Sequence, residues 1–108
     1  MRILFDHGTP APLASFLKDH VVKKAKDMGW DTLSNGELLS EAEKSGFEML
    51  LTSDKNIRYQ QNLSKRNIAL VVLTNPTWPV VRRYVGRVLD AINNAMPGSY
   101  VEVDIPDQ

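Results

Sequence analysis

Cysteine is absent from the 108 residues, which excludes disulfide staples and thiolate metal sites. Histidine occurs only as His7 and His20, a poor set for zinc. Neither sign of charge is in excess: 13 basic and 13 acidic residues give a formal net charge of zero. The chain is no polycation, so contact with nucleic acid would have to rest on a local patch. Long apolar runs are missing as well. The longest, Ile68 to Leu73, falls far short of the ~20 residues that span a bilayer. Met1-Arg2 passes at once into Ile3-Leu4-Phe5 and then Asp6, unlike a secretory signal. A cytoplasmic protein without a membrane partner is the expectation.

What is present suits one domain over residues 1–108, long enough to bury a core without staples. Arg2 to Asp6 reads as a strand apolar on successive residues, as a strand buried on both faces would be. Pro10 or Pro12 suits a first helical turn, and Leu13, Phe16 and Leu17 follow at helical spacing. Val21 and Val22 mark a weaker strand whose end is made polar by Lys23, Lys24 and Lys26. Ser34-Asn35-Gly36-Glu37 fits a capping box ahead of the stripe Leu38, Leu39 and Ala42, with Gly46 as the stop. Met49 to Thr52 and Ile68 to Thr74 read as further strands. Lys55 to Leu63 reads as a short helix or ordered loop. A long helix carries Val81, Tyr84, Val85, Val88, Leu89 and Ile92. Trp78, between Pro76 and Pro79, reads as a core anchor, and Arg82, Arg83 and Arg87 as a solvated face. Val101, Val103 and Ile105 alternate with Glu102 and Asp104, as in a half-exposed edge strand. Strand and helix alternate throughout, which predicts an α/β fold with a mainly parallel sheet.

In such a fold the carboxyl ends of neighbouring strands share one edge, where open α/β sheets place their ligands. Asp6 ends the first strand, Asp54 follows the third, and Glu37 opens the helix between them. These carboxylates are the candidate catalytic and metal-binding set, with Asn35 a further oxygen ligand. Each has a plainer reading: Asp6 as a turn residue, Asp54 as an N-cap, Glu37 as the closing half of the capping box. Carboxylates about 4 Å apart repel by about 4 kcal/mol at an effective dielectric near 20, so a converged set calls for a cation. Oxygen-only ligands select hard ions, here Mg²⁺ or Mn²⁺. That chemistry suits phosphodiester hydrolysis. Lys55 and Arg58 could hold phosphates and Tyr59 could stack on a base, although a solvated helix face accounts for them equally.

Taken in order, Ile-Leu-Phe-Asp6, Asn-Gly-Glu-Leu-Leu at 35–39 and Leu-Leu-Thr-Ser-Asp54-Lys-Asn resemble the PIN-like family of short bacterial proteins, related to the PIN-domain ribonucleases. The resemblance covers Arg2 to about Leu73. It implies a three-layer PIN-like fold with four to five strands in the order 3-2-1-4-5, RNA as substrate, and acidic residues clustered at the strand ends. It also implies kinship with toxins of toxin–antitoxin pairs, and hence a small antitoxin partner carrying a DNA-binding domain. Asp6 and Asp54 match the family pattern. Asn35 stands where many relatives have Asp, with Glu37 two residues on. Asn56 replaces the second Asp of the late signature, and His7-Gly8 replaces Glu-Asn after the first strand. The acidic set is thinned.

Three readings follow. The first is a metal-dependent ribonuclease, in the resemblance a toxin. The second is a catalytically inactive binding or assembly module. The third is a receiver-like signalling domain with Asp54 as phosphoacceptor and Thr74 after the fourth strand, although the chain lacks its acidic pair and its late Lys. A homodimer through the apolar part of the last strand is open to all three.

Overall fold

The computed structural model describes residues 1–57 and 63–107. A five-stranded sheet runs through it, built from β1 (Arg2–Phe5), β2 (Val21–Lys24), β3 (Met49–Thr52), β4 (Ala69–Leu73) and β5 (Tyr100–Val103). All its pairings are parallel. The order is β2-β1-β3-β4-β5, which corrects the expected 3-2-1-4-5. β1 pairs with β2 on one side and β3 on the other, and β3 rather than β1 receives β4.

The reason lies in the crossovers. The link from β1 to β2 carries only a 3-10 segment, Ala11–Phe16, over one face. The link from β2 to β3 carries α1 (Asn35–Lys44) over the other. Right-handed crossovers on opposite faces set the two strands on opposite sides of β1. Side chains alternate accordingly. Ile3 and Phe5 join Leu13, Leu17, Val81, Val88 and Ile92 in one core cluster. Leu4 joins Leu38, Leu39, Ala42 and Phe47 in the other. The interior strands β1, β3 and β4 read as continuous apolar runs because both of their faces are covered.

The local signals in α1 act as their chemistry requires. The Ser34 amide donates to Glu37 Oε1 at 3.1 Å and the Glu37 amide to Ser34 Oγ at 3.3 Å. At the far end the Phe47 amide reaches the Ala42 carbonyl at 2.9 Å and Gly46 the Glu43 carbonyl at 3.1 Å. That pair of bonds is a Schellman ending, with Gly46 at φ +83°.

The last helical region is three pieces rather than one long helix: α2 (Trp78–Val81), a 3-10 turn (Arg82–Tyr84) and α3 (Val85–Asn94). Trp78 packs half-buried against the core and against Phe16, ring centroids 5.9 Å apart. Arg82 and Arg83 are exposed. Arg87 is not merely solvated. It lies 4.7 Å from the Tyr84 ring centroid and donates to the Asp104 carbonyl at 2.8 Å, tying α3 to the segment after β5. Among the described residues no helix is long and apolar enough to cross a membrane.

Candidate functional site at the carboxyl edge of the sheet

β1 and β3 are neighbours whose outgoing crossovers leave on opposite faces, so the crevice beyond their carboxyl ends is the switch point of the sheet. Asp6 and Asp54 follow those two strands. Thr52 ends β3 as a polar residue in an otherwise apolar run, with 1 % of its surface exposed. Its hydroxyl donates to Asp6 Oδ2 at 2.8 Å and accepts from the Asp54 amide at 3.1 Å. An ionised carboxylate only accepts, so the hydroxyl hydrogen points to Asp6 and a lone pair is left for Asp54.

The remaining carboxylate oxygens also have partners. The His7 amide donates to Asp6 Oδ1 at 2.8 Å, and the Asn56 amide to Asp54 Oδ1 at 2.9 Å, the latter an Asx turn. Asn35, the first residue of α1, donates its Nδ2 to Asp54 Oδ2 at 3.0 Å. Asp6, Thr52, Asp54 and Asn35 thus form one hydrogen-bonded chain across three elements. The turn after β1 is held against β3. Thr9 Oγ1 donates to the Leu51 carbonyl at 2.8 Å, and a Cβ on Gly8, at φ +94°, would come 3.2 Å from Ser53 Oγ.

Glu37 stands apart from this chain. It is exposed, and its Oε1 is engaged by Ser34 in the capping box. The Ser34 backbone and hydroxyl hold its carboxyl below the ordinary glutamate range. Among the described residues no group of three His, Cys, Asp or Glu converges to hold a metal ion. The donor chemistry points the same way: the Asn35 side chain presents a proton donor, not an anionic oxygen, to Asp54. At this edge the described residues gather two carboxylates, Asp6 and Asp54, and not the three expected.

Lys55 is exposed beside Asp54, whereas Arg58 and Tyr59 lie outside the described residues. A cleft of about 120 Å³ opens at the same edge, lined by Phe5, Asp6, His7, Gly8, Thr9, Lys24 and Lys26. Its lysines and Thr52 were not in the sequence-derived set. A threonine closing a buried run two residues before Asp54 was the available signal for Thr52. Three lysines within four positions at a strand end were the signal for the cleft. The Thr74 hydroxyl accepts from the Ile105 amide at 2.8 Å and donates to the Ile105 carbonyl at 3.2 Å, which commits it to the chain beyond β5. No protein-family model, curated protein or solved structure matches the chain.

Proposed function

We propose that this chain is a PIN-like module that binds RNA at the carboxyl edge of its sheet and does not cut it. One observation carries the reading. Both oxygens of Asp6 and both of Asp54 accept hydrogen bonds from the protein's own donors, one of them the Asn35 amide. A third anionic oxygen would make the charge repulsion depend on a cation. A donor in its place offsets the charge within the protein. Hydrogen bonds to charged groups contribute about 1.5–3 kcal/mol each, enough to hold the two carboxylates without a metal. The edge then serves as a rigid frame, and the exposed cations around it, Lys24, Lys26 and Lys55, supply attraction for phosphates. With zero net charge, attraction that is local rather than global directs a polyanion to this edge.

The test is a labelled RNA oligonucleotide followed by fluorescence anisotropy and by gel. Binding with no product after prolonged incubation with Mn²⁺ is the expected result. A metal that binds the native state must stabilise it, so millimolar Mg²⁺ or Mn²⁺ should leave the melting temperature unchanged relative to EDTA. The second reading is the metal-dependent ribonuclease, with an antitoxin as its partner. It is favoured by Asp6 and Asp54 following neighbouring strands and sharing the Thr52 hydroxyl. Metal-dependent cleavage that disappears in Asp6→Asn and Asp54→Asn would establish it in place of the first.

A further inference from the structure

The cleft beyond β1 and β2 is built from two unlike walls. One is the turn Asp6 to Thr9; the other is Lys24, the last residue of β2, with Lys26 just beyond it. β2 is an edge strand that pairs only with β1, so its lysines stand at the rim of the sheet. Both are exposed. Ion pairs join Lys44 with Glu41, Arg66 with Glu43 and Arg87 with Asp104. Among the described residues neither Lys24 nor Lys26 has a carboxylate within ion-pair distance. The acid in the cleft, Asp6, has its oxygens turned to Thr52 and to the His7 amide. A small open cleft is thus lined by two lysines, with the one acid that lines it already hydrogen-bonded within the protein. Its volume, about 120 Å³, is well below the roughly 300–1,000 Å³ of a pocket that encloses a whole small molecule. One phosphate of a longer chain fits that description better than a free nucleotide.

We infer that this cleft seats a backbone phosphate of single-stranded RNA between Lys24 and Lys26. The inference rests on the RNA-binding reading and assigns the contact to a place that the sequence-derived set, centred on Lys55, Arg58 and Tyr59, does not include. Phosphate contacts position the strand without reading its bases, so binding is tolerant of sequence and falls with salt. Each such contact contributes about 0.7 to the slope of log affinity against log salt for single strands.

The experiment compares wild type with Lys24→Glu/Lys26→Glu and with Lys24→Gln/Lys26→Gln, using a labelled single-stranded oligoribonucleotide at several salt concentrations. The exposed positions tolerate both changes, and circular dichroism verifies the fold of each variant. Lys44→Glu, at the other end of α1, is a remote control whose charge change equals that of the glutamine pair. The charge reversal should weaken binding at least thirtyfold. The glutamine pair should lower the salt slope by about 1.4, with Lys44→Glu within threefold of wild type. Wild-type binding that persists within threefold in both double variants would overturn the placement and leave the RNA-binding reading intact. A wild type that does not bind RNA at all would overturn both. A wild type that binds inorganic phosphate but not RNA would overturn the choice of ligand.

Discussion

Thr52 joins the ends of β1 and β3 with one hydroxyl, donating to Asp6 and accepting from the Asp54 amide. It is nearly fully buried, so water cannot readily replace those bonds. Thr52→Val keeps the shape and removes the hydroxyl, leaving a carboxylate oxygen and an amide without their partner. That should cost about 1–3 kcal/mol by urea denaturation, and Thr52→Ser should recover most of the loss. Gly8 illustrates a backbone constraint. At φ +94° and with Ser53 Oγ 3.2 Å from where a Cβ would lie, Gly8→Ala should destabilise by about 1–2 kcal/mol. Asn35→Asp is the most informative change. It replaces the donor facing Asp54 Oδ2 with a third carboxylate, so the protein should melt lower in EDTA and regain stability with millimolar Mn²⁺. A melting temperature that ignores the metal in that variant would show that charge at position 35 is not what governs cation binding.

At the scale of the element, α1 is governed by its two ends. Removing the cap with Ser34→Ala should cost about 1 kcal/mol, read as a lower urea midpoint with an unchanged m-value. Glu37 adds a pH dependence of definite sign. Its carboxyl is held below its ordinary range by the Ser34 backbone and hydroxyl hydrogen bonds. The unfolded chain therefore takes up that proton more readily than the folded one. The stabilisation is full above the unfolded glutamate value and is lost as pH falls through the folded value. Glu37 is exposed, so solvent screening keeps the contribution small. Glu37→Gln keeps the capping acceptor without titrating, and should flatten the acid limb of stability against pH. An unaltered acid limb would mean that other carboxylates set it. Helix ends of this kind were legible in the chain because their signals are local. The break of the last helical region around Arg82–Tyr84 had no such signal.

For the whole molecule, the strand order decides what the carboxyl edge contains. β1 lies between β2 and β3, so the residues after β1 meet Thr52 and Asp54 on one side and the lysines of β2 on the other. The expected order 3-2-1-4-5 would have set β4 beside β1 and moved β3 away, separating Asp6 from Asp54. Asp6, Glu37 and Asp54 were expected to converge; Asp6 and Asp54 follow neighbouring strands, Glu37 stands apart in the capping box, and the bonds from Asn35 and Thr52 were not foreseen. The core beneath them lies on both faces of the sheet, in two clusters. Leu50→Ala, at a position with no exposure, should cost about 2–5 kcal/mol and lower the melting temperature with EDTA and with Mn²⁺ alike.

The amino-acid sequence by itself determined the alternation of strand and helix, the buried runs of β1, β3 and β4, the capping box and the stop at Gly46. Each depends on propensity, periodicity or hydrogen bonds between residues a few positions apart. Only the tertiary structure decided which strands are neighbours, that Asn35 meets Asp54 across 19 positions, and that Thr52 meets Asp6 across 46. Those contacts depend on which face each crossover packs against. That choice is made by the pooled burial of two core clusters rather than by any one stretch of the chain.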